Sequence, residues 1–86
     1  MKTFPKNERL LKAFGKHLKK LREKKKLSQN KLAYKIDSYQ STILRIEQGR
    51  NNPSLSMMAA IAEALGVTLK ELIDFDFLKK TGKKAG

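Results

Sequence analysis

The chain has 86 residues, with 20 Lys and Arg against 8 acidic side chains and a formal net charge of +12. That fits one small domain with a thin core and an attraction to polyanions, nucleic acid ahead of an anionic membrane surface. The absence of cysteine excludes a disulfide framework, a thiolate metal site and a cysteine nucleophile. No apolar run approaches the roughly 18 residues of a membrane span, and Met1 to Glu8 lacks the apolar stretch of a signal peptide, so a cytoplasmic protein is expected.

In chain order, Met1 to Lys6 is polar or basic without apolar periodicity and reads as a frayed end. A first helix follows, with Leu11, Phe14, Leu18 and Leu21 at helical spacing and Asn7 as candidate cap. Gly15 inside it costs about 1 kcal/mol against alanine. It marks either a close backbone contact or a helix that begins near Phe14. A second helix opens at Ser28, with Leu32, Ala33 and Ile36 inward. A third covers Tyr39 to Gln48, anchored by Ile43 and Ile46 and stopped by Gly49. A fourth begins at Ser54, with Leu55, Met58, Ile61, Ala62 and Leu65 facing the core and Gly66 at its end. A fifth starts at Thr68, whose spacing to Glu71 is that of a capping box, with Leu69, Leu72 and Ile73 as its buried side. Lys79 to Gly86 again lacks periodicity. The fold class is all-α, a compact five-helix bundle.

The positive charge is uneven. Residues 1–50 hold 15 basic and 4 acidic side chains, residues 51–86 hold 5 and 4. Within the basic half, Leu27 to Gly49 places two short helices either side of a turn at Ile36-Asp37-Ser38. So short a turn fixes them at a steep angle. The second can then enter a major groove while the first crosses the backbone. Anchoring by Ile43 and Ile46 turns Gln40, Ser41, Leu44 and Arg45 outward. Gln40 and Arg45 have the reach and donors to read base edges. Tyr39 and Ser41 can reach a base edge, a thymine methyl or a phosphate. Ser28 and Gln29 open the second helix, where free backbone N–H groups make a phosphate seat. Arg50, Asn51 and Asn52 follow the third helix as polar phosphate donors.

From Phe14 to Ile73 the chain resembles the lambda-repressor-like helix-turn-helix family, the Cro/C1 or Xre type of bacterial and phage regulators. The resemblance rests on ordered matches: Leu21-Arg22, Leu27-Ser28-Gln29, Leu32-Ala33, Ser41-Thr42-Ile43, Arg45-Ile46-Glu47-Gln48-Gly49, Asn52-Pro53-Ser54 and Ala64-Leu65-Gly66-Val67. It implies a helix-turn-helix of helices two and three, double-stranded DNA as partner and a bacterial or phage origin. It puts Gln29 on the DNA backbone, Gln40, Ser41 and Arg45 at base-reading positions, and Gln48 at a phosphate. It also makes Arg22 and Glu47 an internal ion pair. Glu47 lies near a helix C-terminus that disfavours negative charge, which gives that pair a physical reason too. Three positions depart from the pattern. Asp37 stands where glycine is usual, Ser38 where an apolar residue is usual, and Tyr39 where a small cap is usual. Ser38 is therefore a candidate cap that would start the third helix one residue early.

Residues 1–13 are read as a partly helical extension, 14–74 as the DNA-binding domain, and 75–86 as an apolar segment with a basic tail. Leu72, Ile73, Phe75, Phe77 and Leu78 are too apolar for one short helix to bury. They either fold back on Phe4, Leu10 and Leu11 or form a homodimer interface. The dimer is preferred, since members of that family commonly pair through this end. The run Lys16, Lys19, Lys20, Lys24, Lys25 and Lys26 is either a phosphate-binding stripe or a solvated face. His17 is alone, so no metal site is expected, no cofactor is implied, and no nucleophile–base set suggests an enzyme. The leading expectation is a transcriptional regulator, a repressor by preference. The alternative is an antitoxin-like module that neutralises a protein partner and binds its own promoter. A membrane-surface peptide ranks last.

Overall fold

The structure, a computed structural model, describes residues 6–76. Five helices run in order: α1 (Glu8–Lys24), α2 (Gln29–Lys35), α3 (Gln40–Glu47), α4 (Leu55–Leu65) and α5 (Leu69–Leu72). Among the described residues there is no strand. α1 packs against α3 and α5, α2 against α3 and α4, and α4 against α5. One buried cluster joins all five helices: Phe14 and Leu18 from α1, Leu32 and Ala33 from α2, Ile43 and Ile46 from α3, Ile61, Ala62 and Leu65 from α4, and Leu72 from α5. Burying an aliphatic side chain of this size is worth roughly 1.5–3 kcal/mol. These positions outweigh any local propensity in deciding where the short helices sit.

Four helices start on a side-chain cap. Asn7, Ser28 and Ser54 each accept the N–H three residues on at 3.0 Å. Thr68 and Glu71 form the full capping box, with Thr68 Oγ1 accepting from Glu71 N and Glu71 Oε1 from Thr68 N. Four helices also end alike. After α1 to α4, the left-handed residue is Lys26, Asp37, Gly49 and Gly66 in turn. The next residue's N–H reaches back to Arg22, Ala33, Arg45 and Ala62 carbonyls respectively. This is the Schellman closure. Glycine adopts it freely, whereas Lys26 and Asp37 carry a Cβ into it.

Gly15 resolves as a close contact. α1 continues without a break across positions 13 and 14, and a Cβ on Gly15 would lie 2.6 Å from the Ile46 carbonyl oxygen, with Glu47 O also in contact. The backbone of α1 thus rests directly on the end of α3. Two core expectations need correction. Leu55 is 66% exposed and Ile73 is 40% exposed. Leu55 is the first residue of α4, where periodicity continues but no facing element covers it. Ile73 is the residue that caps α5, where the chain turns away.

Candidate nucleic-acid interface

α3 presents two unlike faces. Ile43 and Ile46 are buried, while Gln40, Ser41, Leu44 and Arg45 are exposed. The helix begins at Gln40 with Tyr39 as its N-cap, and Tyr39 supplies no side-chain hydrogen bond. The candidate cap Ser38 does not cap it. Its N–H instead donates to Ala33 O at 2.8 Å, which closes α2. α3 therefore does not start early, and the Tyr39 ring stands out at 77% exposure. Asp37 holds the turn in left-handed backbone at φ 56°, the conformation for which its short polar side chain is tolerated.

Polar side chains tie the exposed face to the interior. Arg22 Nε donates to Glu47 Oε2 at 2.6 Å, its second terminal nitrogen to Glu47 Oε1 at 3.0 Å, and its first to Leu27 O at 2.8 Å. The two side chains are 9% and 4% exposed. The hydrogen bond to Glu47 is the largest reason the Arg22 guanidinium is held above its ordinary pKa, against the opposing effect of burial. Glu47 Oε1 also accepts from Gln29 Nε2 at 2.9 Å, and Gln29 Oε1 accepts from Gln40 Nε2 at 2.7 Å. A chain of four side chains thus runs from α1 through α3 and α2 to the exposed start of α3. The family resemblance implies the Arg22–Glu47 pair, and the place of Glu47 near a helix C-terminus gives it a physical reason. Neither predicts Gln29 joining it, because that contact depends on the angle between α2 and α3.

The residues expected on phosphates lie at two ends of this surface. At the start of α2, Ser28 Oγ takes the Lys31 N–H, and the N–H groups of Gln29 and Asn30 have no intrahelical acceptor. Gln29 is half-buried with its amide turned toward Glu47 and Gln40. At the other end, Gln48 caps α3. Arg50 and Asn52 are exposed, and Asn51 is half-buried. Lys6, assigned from sequence to a frayed end, donates through Nζ to Arg50 O at 3.1 Å. No periodic signal could have found it, since it precedes the helix.

The apolar C-terminal residues divide. Leu72 is fully buried in the chain's own core, which removes it from any interface. Phe75 is half-buried, 6.2 Å from the Phe14 ring and 5.4 Å from the His17 ring. His17 is half-buried, and its Nε2 lies 2.9 Å from Glu71 O. Phe4, Phe77 and Leu78 lie outside the described residues. Among the described residues no cluster of His, Cys, Asp or Glu could hold a metal ion, and no helix is long and apolar enough to cross a membrane.

The profile of the helix-turn-helix family matches residues 18–72. The control protein C.BamHI of Bacillus amyloliquefaciens is 43% identical over 70 residues, which is 80% of this chain and 84% of that protein. The immunity repressor protein of Bacillus phage phi105 is 38% identical over 66 residues, covering 77% of this chain and 46% of the repressor. Among solved structures, the restriction-modification controller protein C.AhdI from Aeromonas hydrophila superposes with a TM-score of 0.70 at 38% identity, over 74% of this chain and 96% of that one. The matched stretch contains the ion pair, the α2–α3 turn and the exposed face of α3. The chain therefore belongs to the helix-turn-helix family, in its Cro/C1-type, lambda-repressor-like form.

Proposed function

We propose that the chain is a sequence-specific double-stranded DNA-binding transcriptional regulator, acting as a repressor, with α3 in the major groove. The observation that carries this is the division of α3: Ile43 and Ile46 lock it to the core while Gln40, Ser41 and Arg45 stand out together. In this reading Tyr39, Gln40, Ser41 and Arg45 read base edges. Ser28, Gln29, Gln48, Arg50, Asn51 and Asn52 hold phosphates on either side. Gln29 does so with the second hydrogen of an amide already bonded to Glu47. The binding unit is not bounded at 14 and 74: it takes in the whole of α1, which runs unbroken across positions 13 and 14, and reaches Phe75, which packs on Phe14 and His17. The chain works by binding rather than by catalysis, in the cytoplasm of a bacterium.

The working form in this reading is a homodimer. One α3 contacts only a few base pairs, and a pair on a two-fold axis doubles the site. Leu55 and Ile73 leave apolar surface on α4 and just after α5 that a second copy would cover. The antitoxin-like alternative loses much of its ground, because Leu72 is buried and Phe75 packs on Phe14 and His17.

Selection of bound duplexes from a random library, with wild type and Arg45→Ala at two salt concentrations, tests the proposal. The expected outcome is an inverted repeat with half-sites about 34 Å apart, degraded at defined bases in the variant. Salt-sensitive binding without an enriched sequence, unchanged by the substitution, would sink it.

A further inference from the structure

Beyond α2 and α3, basic side chains converge where the N-terminal extension meets the end of α3. An open cleft of about 400 Å³ is lined by Lys6, Glu8, Lys12, Gln48, Gly49 and Arg50. Its two sides are held together. Lys6 Nζ donates to Arg50 O at 3.1 Å. Gly49 packs so tightly on α1 that a Cβ there would lie 2.6 Å from Lys12 Cγ and 2.8 Å from Lys12 Cα. Gly49 is left-handed at φ 76°, so both its backbone and its missing side chain bring Lys12 to this rim. Three cations and one carboxylate line the cleft, and among the described residues none of these three cations takes part in an ion pair. Lys6, Lys12 and Arg50 therefore keep their charge for a partner.

We infer that Lys6 and Lys12, with Arg50 and Gln48, form a clamp for a backbone phosphate of the bound duplex, at the strand flanking the C-terminal end of α3. This rests on the DNA-binding reading above and extends it to two residues outside the helix-turn-helix. The geometry supplies what such a contact needs. Gln48 lies one turn beyond Leu44 and Arg45 on the exposed side of α3, so a groove seated on α3 has a strand passing this end. Lysine is suited to phosphate as a point charge with three donors. Lys6 uses one donor on Arg50 O and keeps two. The start of α2 holds the opposite strand, so the two ends together fix the depth of α3 in the groove.

The test measures duplex affinity against salt for wild type, Lys12→Gln, the double variant Lys6→Gln/Lys12→Gln, and Lys70→Gln as a charge control on α5, outside the cleft and the basic run of α1. Glutamine keeps the Cγ that lies over Gly49, and unchanged melting will show that the fold is intact. Each clamp lysine removed is expected to flatten the log–log salt slope by about 1. Affinity should fall equally on the selected and random duplexes, with the selected sequence unchanged, and Lys70→Gln should keep the wild-type slope. Equal slopes for Lys12→Gln and Lys70→Gln would overturn the clamp in favour of diffuse charge. So would stabilisation by inorganic phosphate that the double variant loses while its duplex slope stays that of wild type, since the cleft would then take a free anion. If wild type itself binds no duplex, the DNA-binding reading fails and the clamp falls with it. If wild type binds and the lysine variants match it, only the clamp fails.

Discussion

The junction of α1 with α3 and the junction of α4 with α5 hold the molecule by different means. At the first, backbone lies on backbone at Gly15, and a buried ion pair runs from Arg22 to Glu47 and on through Gln29 to Gln40. At the second, Ile61, Ala62, Leu65 and Leu72 share one apolar cluster, closed outside by the Thr68–Glu71 capping box. Apolar contact is set by volume and tolerates small shifts. A bidentate arginine–carboxylate pair fixes direction as well as distance. The polar junction stands behind the helix proposed to read bases, and the apolar one stands behind helices whose exposed surface, at Leu55 and Ile73, is itself apolar.

The strongest way to break this comparison is Glu47→Gln. Leaving Arg22 buried without its partner is expected to cost about 3 kcal/mol or more, read as a melting temperature lowered by roughly 4–8 °C per kcal/mol. Released from Glu47, Gln29 should also loosen Gln40, and any selected half-site should blur at the base that the proposed reading gives to Gln40. A loss of under about 1 kcal/mol would show that the junction does not depend on the pair. Leu72→Ala should be comparable or slightly smaller, about 2–4 kcal/mol. At a temperature where that variant remains folded, its selected sequence should match wild type. Equal blurring in both variants would remove the distinction between the junctions.

Asp37→Gly sharpens the comparison from the other direction. Removing the Cβ from left-handed backbone should raise stability by about 0.5–1 kcal/mol, seen as a higher midpoint in urea. No gain would mean that the aspartate side chain offsets its own backbone penalty.

The smallest effect concerns Glu71. Hydrogen bonds from the Thr68 backbone, then from its side chain, hold the Glu71 carboxyl below its ordinary value of 4.5. A lowered folded pKa gives stability that is fully present above the unfolded value and lost as pH falls through the folded one. Glu71→Gln should therefore melt slightly below wild type at neutral pH, with the gap closing as the pH drops below about 4.5. A gap that persists in strong acid would separate the box from the charge.

Much of this was legible before any coordinates. Helix caps at Asn7, Ser28, Ser54 and Thr68 are local, because a short polar side chain satisfies an N–H three residues away. The five apolar stripes are local too, since each repeats within one helix. The misplacements share a cause. Leu55 fits the stripe of α4 but has no element opposite it. Ser38 has the chemistry of a cap, but α3 starts at Gln40 and Tyr39 takes the N-cap position, which leaves Ser38 in the closing turn of α2. Lys6 has no pattern at all, and its place comes from a carbonyl 44 positions away.

The sequence alone therefore determined that the chain folds as helices, where most of them begin and end, and that one basic half carries a helix-turn-helix. Those properties follow from neighbours within a turn or two, where spacing is geometry. Only the tertiary structure decided that Gln29 turns inward to hold Gln40, that Leu72 belongs to the core, and that Lys6 and Lys12 meet Arg50 across a cleft. Those depend on the angles at which helices cross, and crossing angles are set by the packing of many side chains together.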